Sequence, residues 1–397
     1  MSNIKRDLGR YTTRPVQDKA LNYIKNVMEN KKDNKFFLLN LPTGSGKSHL
    51  AMMISDYYIS NINKNANVDM ITPGKLLQDQ YSGEYDSIND LKGKENYSCK
   101  QYDCSCAQGM EFNKLNKTSC DFCPYKDART GYMNGRVSLT NFHLYLIYKI
   151  YANEVQERNS NILIIDECHE LDEIMSDFIS IKVTEGSIKK LKYDNENEII
   201  KALKKVRTIN DYVFFLKYLR DESTKTMESM EKSMMGGRNI KVDKRDLTIG
   251  SILDKNDNKD VKIMKMITDM GQQILKIDLF TTEYSENPDN WVLEATFNEK
   301  TGHKELSLEP IWAYDYLDKY VWSKYDKVFL MSGTILDKNL FSELNGLDVD
   351  KTVYYSVPSP FPIQNRPLYY LPIGKMSYTK KEEPFEKYKP CVSKLLN

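Results

Sequence analysis

The chain has 397 residues, a formal net charge of +1 and 40% hydrophobic residues, enough for two or three domains with real cores. The balanced charge excludes a uniformly basic nucleic-acid coat, so any nucleic-acid path must be a local groove. No apolar run approaches a membrane span and MSNIKRDLGR has no signal-peptide core; a cytoplasmic protein without a membrane partner is expected, with thiols rather than disulfides.

In chain order, the first strand expected is Phe36-Phe37-Leu38-Leu39, followed by LPTGSGKS and a helix from His49 to Ile59. Thr43, Gly44, Ser45, Gly46, Lys47 and Ser48 form a phosphate loop. The glycines permit a tight turn whose amides face phosphates, Lys47 reaches the β/γ-phosphates, and the Ser48 hydroxyl suits Mg²⁺. The strict pattern is broken, because Leu41 stands where its first glycine belongs. Next, Asp69 to Gln80 reads as a strand and turn.

Five of the seven cysteines then fall together, at Cys99, Cys104, Cys106, Cys120 and Cys123. Clustered thiols in a reducing compartment point to a metal or an iron–sulfur cluster. The C-x2-C pair alone makes zinc the leading choice by spacing. The apolar run Ile162 to Ile165 reads as a buried parallel strand that delivers Asp166, Glu167, Cys168 and His169 at its end. There Asp166 would hold Mg²⁺ and Glu167 would orient an attacking water. With the phosphate loop, this describes an NTP-hydrolysing motor.

From Leu171 to Asn287 the pattern becomes charged and helical, as in 199–206 and 261–267, where apolar residues recur at three- and four-residue steps. A Met/Gly/Ser stretch, Ser229 to Gly237, reads as a loop. Trp291 to Glu294 and Glu305 to Leu308 read as strands, and Val328 to Met331 as a core strand leading into Ser332, Gly333 and Thr334.

The order of these strings resembles the XPD/DinG-like superfamily 2 DNA helicases with an iron–sulfur domain, particularly their short phage and bacterial members, and only their N-terminal portion. Arg14-x-x-Gln17 resembles the adenine-reading element, 69–80 the strand and turn that touches the DNA backbone, and Asp-Glu-Cys-His the family's magnesium box. Leu91 to Cys99 and Cys123-Pro-Tyr125 resemble the two ends of the cluster domain; Leu139-Thr-Asn-Phe142 resembles the element after it. Met331 to Leu336 is similar to motif III, and Ser359-Pro-Phe-Pro362 with Asn365-Arg366 to the lead into a second motor domain.

The resemblance implies an α/β chain: a RecA-like phosphate-loop parallel sheet with a small cysteine-rich insertion and a helical arch-like insertion, the second RecA-like domain being largely missing. Its parts would be motor domain 1 at 1–90, an iron–sulfur module at 91–130, motor domain 1 again at 131–170, the arch at 171–287, the end of motor domain 1 at 288–366, and a truncated second motor domain at 367–397. The expected cofactors are ATP, Mg²⁺ and a 4Fe–4S cluster, with Zn²⁺ as the alternative. Cys99, Cys120 and Cys123 are the expected cluster ligands, with Cys104 preferred to Cys106 on the ground that Cys106 could face away. Gln17, with Arg14, would read adenine; Thr72, Gln78 and Asn141 would touch the DNA backbone; Phe142 would stack on a base. His169, Ser332, Gly333 and Thr334 would couple hydrolysis to DNA.

The expected activity is 5′→3′ helicase action on single-stranded or forked DNA in a bacterial or phage-infected cell. The alternatives are a single-stranded-DNA translocase and a nucleotide- and metal-bound DNA-binding module without turnover. No Gln-x-x-Gly-Arg-x-x-Arg string occurs, so the arginines of a complete motor are expected on a separate polypeptide or in a longer chain.

Overall fold

The apolar runs become the strands of a parallel sheet. The computed structural model describes residues 3–359 except 117, 121, 153–157, 236–256, 298–301 and 336, together with 361, 362 and 364. Among these residues the strands are β1 (Phe36–Asn40), β2 (Val68–Thr72), β3 (Ile88–Leu91), β4 (Val137–Asn141), β5 (Ile162–Asp166), β6 (Ile181–Thr184), β7 (Trp291–Phe297), β8 (Lys304–Pro310), β9 (Lys327–Ser332) and β10 (Thr352–Ser356). Seven form one sheet in the order β10-β1-β9-β5-β2-β4-β3, and every pair in it is parallel. This is the expected RecA-like α/β core.

The strands are apolar throughout because both faces are covered. Along β1 the side chains alternate. Phe37 and Leu39 pack on one face with Met52, Ile54, Met70, Ile164 and Phe329, and the Phe37 and Phe329 rings stack with centroids 4.6 Å apart. Phe36 and Leu38 pack on the other face with Leu163, Ile165 and Leu330. Each such side chain, fully buried, contributes about 1.5–3 kcal/mol.

The 171–287 segment packs directly on this second face. Met175, Phe178, Leu216, Phe280 and Trp291 share one apolar cluster with Phe36 and Leu38. The segment contains the long helices Ile209–Met235 and Asp257–Glu286. Its strand β6 joins β8 and β7, which follow the segment in the chain, in a three-stranded antiparallel sheet of order β6-β8-β7, with Val183 opposite Leu306 and Leu293 opposite Leu308. β7 and β8 were expected at the return to the motor core. Instead they pair with each other and with β6, outside the seven-stranded sheet, whose next strand is β9. The loop expected from Ser229 is helix as far as Met235. Methionine and glutamate are good helix formers, and Ser233 turns its hydroxyl back to Met230 O at 2.7 Å. Residues 236 and 237 lie outside the described residues.

The cysteine segment leaves β3 and returns through the helix Pro124–Asn134 into β4. Cys99 N–H donates to Cys104 O at 2.8 Å and Cys106 N–H to Tyr97 O at 2.7 Å. The helix Cys106–Asn116 follows.

The chain divides into two units, Met1–Pro358 and Ser359–Asn397. In the second, Ser359 Oγ accepts a hydrogen bond from Phe361 N at 3.3 Å. Leu336, Asn365-Arg366 and the expected start of a second motor domain at 367–397 lie outside the described residues. No described helix is long and apolar enough to cross a membrane.

Candidate active site

The carboxyl ends of β1, β9 and β5 lie side by side, the edge at which ligands bind in open parallel sheets. β1 runs into Leu41 and Pro42, and Leu41 N–H donates to Ser332 O on β9 at 2.7 Å. Gly44 and Gly46 then take φ of 83° and 81°, the left-handed region open to glycine. The helix Lys47–Tyr57 follows.

Two side chains grip the loop from behind. Arg14 donates to Gly44 O, and Gln17 Nε2 donates to Gly46 O at 2.9 Å. Gln17 Oε1 accepts from Arg14 N–H at 2.7 Å. A Cβ on Gly46 would collide with Gln17 Nε2. Fixing these carbonyls orients the loop so that its amides can serve an anion. Gln17 was expected to read adenine. In this structure its amide is bonded at both ends, to the loop and to its own helix start.

The loop, Thr43 included, lines a cleft of about 470 Å³ whose far wall carries Asp166 and Glu167. Asp166 is 3% exposed. Its Oδ2 accepts from Tyr81 OH at 2.9 Å and its Oδ1 from Glu167 N–H at 2.9 Å. Burial pushes its pKa up to about 6; Lys47 opposes the rise and the Glu167 charge adds to it. Glu167 has φ of 52°, and its Oε1 lies 2.5 Å from Lys47 Nζ. His169 Nδ1 lies 3.4 Å from Glu167 Oε2 and 2.9 Å from Ser332 Oγ. Ser332 Oγ accepts from Thr334 N–H at 3.1 Å, and Gly333 turns against Leu41 and Pro42. The structure thus brings Lys47, Glu167, His169, Ser332 and Thr334 into one polar chain. Ser48 and Asp166 offer the hard oxygen donors that Mg²⁺ prefers, and they fit that ion.

The expected DNA-contacting residues are placed differently. Phe142 is 1% exposed and packed beside Tyr145 in the core, so it has no face to offer a base. Thr72 Oγ1 donates to Gly74 O at 3.2 Å. Gln78 donates to Leu91 O at 2.8 Å and accepts from Asn141 Nδ2 at 3.2 Å. Asn141 Oδ1 caps the helix Phe142–Ile147 through Leu144 N–H at 3.0 Å. All three polar side chains are buried and shape the backbone at this edge instead of meeting solvent.

The thiols face one another. Cys106 and Cys123 are both buried, with sulfurs 3.9 Å apart. Cys120 Sγ accepts from Asn113 Nδ2 at 2.7 Å. Gly109 lets its helix approach Cys99: a Cβ there would come within 2.6 Å of the Cys99 sulfur. Burial pushes the Cys104 thiol up to about 11, with Cys99 and Cys106 adding to the rise. Burial likewise raises Cys106 and Cys120. The ground for preferring Cys104 therefore fails, because Cys106 turns inward to Cys123. Among the described residues no three His, Cys, Asp or Glu side chains are gathered as ligands of a single ion. The donor set, soft sulfur in apolar surroundings, fits an iron–sulfur cluster or zinc.

Three features escaped the sequence reading. Tyr81 reaches Asp166. Tyr11, His49 and Tyr85 form an aromatic wall of the cleft. Arg158 is buried against Asp69 at 2.7 Å. None belongs to a motif, and tyrosine at helical spacing reads as plain core.

The family model described as type III restriction enzyme, res subunit, matches residues 10–210. Comparison with curated proteins finds no match. Among solved structures the chain is similar to an XPD helicase at 16% identity and TM-score 0.47, over 87% of this chain and 62% of that one. It is also similar to a truncated XPD at 14% identity and TM-score 0.46, over 87% of this chain and 100% of that one. The chain therefore spans less than two thirds of the length of that XPD helicase.

Proposed function

Because the chain belongs to the type III restriction enzyme res-subunit family, a family of helicase-type domains, we propose that it is the first motor half of an ATP-dependent 5′→3′ DNA helicase. The observation that carries this reading is the convergence of Lys47, Asp166 and Glu167 on one cleft beside a phosphate loop, with the His169–Ser332 pair joined to Glu167.

Phosphoryl transfer to water is a problem of positioning and charge. Lys47 and the loop amides neutralise the β/γ-oxygens. Ser48 and Asp166 would hold Mg²⁺, which when bound spreads the charge of those oxygens. Glu167, on its left-handed turn, accepts a proton from the attacking water and orients it. His169 links that carboxylate to Ser332 and Thr334, so motion at the end of β9 reaches the water-orienting group. The arginines that stabilise the transition state come from a second motor domain, in the same or a separate polypeptide. Single-stranded or forked DNA runs along the carboxyl edge of the sheet. Cys99, Cys106, Cys120 and Cys123 would hold a 4Fe–4S cluster, with Cys104 nearby.

The test is ATP hydrolysis by this chain combined with its second motor half, with and without single-stranded DNA. DNA-stimulated turnover is expected, lost in Lys47→Ala together with ATP binding, and lost in Glu167→Gln with ATP binding kept. Equal ATP affinity in wild type and Lys47→Ala sinks the assignment. Unwinding of a 5′-tailed but not a 3′-tailed duplex separates a 5′→3′ helicase from the opposite polarity, and hydrolysis without unwinding identifies a translocase.

A further inference from the structure

Tyr81 is a phenol with only 2% of its surface exposed, yet its hydroxyl is spent on one atom, Asp166 Oδ2, at 2.9 Å. Nothing in the phosphate-loop chemistry requires it. A core tyrosine could be phenylalanine at no loss of packing, and burying a hydroxyl without a good partner is costly. Here the partner is a buried carboxylate, so the bond is charge-assisted and strong. It fixes the rotation of the Asp166 carboxylate together with the Glu167 N–H on the other oxygen.

The position of Tyr81 in the chain matters as much as its bond. It lies on the helix Lys75–Glu84, which starts directly after the turn at the end of β2. One turn earlier on that helix, Gln78 is clamped to Leu91 O at 2.8 Å, where β3 opens into the cysteine segment. Asn141, at the end of β4, donates to the other end of the Gln78 amide at 3.2 Å. A single ten-residue helix is thus tied by Gln78 to the mouth of the cysteine segment and by Tyr81 to the acidic end of β5. Its outer side is open, with Leu76 87% exposed.

We propose that Tyr81 is a positioning residue for the metal-holding carboxylate, and that the helix Lys75–Glu84 passes displacements at the strand-end turns to Asp166 through it. This deepens the ATP-hydrolase reading and rests on it. Partners that orient a metal-binding side chain are typically worth about 10–100-fold in metal affinity. Tyr81→Phe keeps the ring and removes only the hydroxyl.

The test uses the full chain with a fluorescent non-hydrolysable ATP analogue and Mn²⁺. Tyr81→Phe is expected to bind the analogue in EDTA as wild type does. Mn²⁺ bound to the analogue complex, followed by electron paramagnetic resonance, is expected to weaken about 10–100-fold. Adding single-stranded DNA is expected to change the Mn²⁺ affinity of wild type but not of Tyr81→Phe. Equal Mn²⁺ affinity in the two proteins overturns the proposal. Wild type that binds no analogue at all overturns the nucleotide reading first, and Tyr81 with it. A second measurement leaves the bond in place: 3-fluorotyrosine at position 81 should show a shifted fluorine resonance when Mg²⁺ joins the nucleotide complex. An unmoved resonance overturns the proposal even if Tyr81→Phe does not fold.

Discussion

Replacing Arg158 with methionine tests how the cysteine segment is welded to the motor sheet. The Arg158 and Asp69 side chains are each 1% exposed, with Nε 2.7 Å from Oδ1. Arg158 Nη1 also donates to Tyr132 O at 2.7 Å, Met133 O at 3.0 Å and Gly135 O at 2.8 Å. These are carbonyls at the end of the helix that leaves the cysteine segment, groups without partners inside the helix. Arg158→Met keeps an unbranched apolar stem of about the length of the arginine's own, ends short of the guanidinium, and removes all of this at once. Asp69 retains Ser160 at 2.9 Å and Tyr325 at 2.7 Å as donors, but its buried charge loses the cation bonded to it. Breaking a buried pair from one side costs about 3–5 kcal/mol, a large share of the roughly 5–15 kcal/mol that holds a typical domain together. Urea denaturation measures this as a fall in midpoint at unchanged slope. The double variant Arg158→Met/Asp69→Asn should recover part of the loss, since it removes the stranded charge and leaves Tyr325 an acceptor. A single-variant loss below about 1 kcal/mol would place the pair with weak surface bridges and refute the weld.

Three further outcomes follow from the site. Asp166 has a folded pKa raised to about 6, so stability is fully present below the unfolded value, near 3.9, and is lost as pH rises through 6. Asp166→Asn should therefore stabilise the chain by on the order of 1–3 kcal/mol at pH 7 and have little effect at pH 4, as read by melting at the two pH values. Gly46→Ala forces an L-residue into φ of 81° against Gln17, costs about 1–2 kcal/mol for the backbone alone, and should abolish nucleotide binding in a direct titration. Anaerobically purified protein should be brown, and Cys99→Ser, Cys123→Ser and Cys106→Ser should each bleach it while Cys104→Ser keeps its colour. Colourless protein with stoichiometric zinc would replace the cluster by zinc on the same thiols.

The phosphate loop and the acidic strand end were legible because their chemistry restricts residue type and spacing together. Gly44 and Gly46 must take positive φ, and Ile162 to Ile165 must be apolar on both faces. The small sheet was not legible. β6 has four residues, and its partner β8 lies more than a hundred positions later, so no local pattern announces the pairing. Thr72, Gln78 and Asn141 misled for another reason. Their types suit a phosphate, but type does not reveal whether a polar group is already spent inside the protein, and here each is. Gln17 carries a related lesson: its motif marked the place, and the type alone did not announce the bonds to Arg14 N–H and Gly46 O that it makes here.

The ion pair between Lys47 and Glu167 at 2.5 Å joins the two halves of the site's chemistry. In the proposed reaction Lys47 would meet phosphate and Glu167 would meet water; here each holds the other. A triphosphate in the cleft brings several negative oxygens to compete with a single carboxylate for Lys47, and at these distances the greater charge wins. In that reading Glu167 is released from Lys47 as the nucleotide arrives and is free to face the water. His169, 3.4 Å from its other oxygen and held by Ser332, is placed to compensate the freed carboxylate. Ser332→Ala should leave ATP affinity unchanged, because the hydroxyl it removes touches neither Lys47 nor the loop, and the Leu41 N–H bond to the Ser332 backbone oxygen remains. It should nevertheless lower the stimulation of turnover by DNA in the completed motor, because His169 loses the hydroxyl that ties it to β9. Unchanged stimulation would cut Ser332 out of the coupling path and leave His169 a neighbour of Glu167 only.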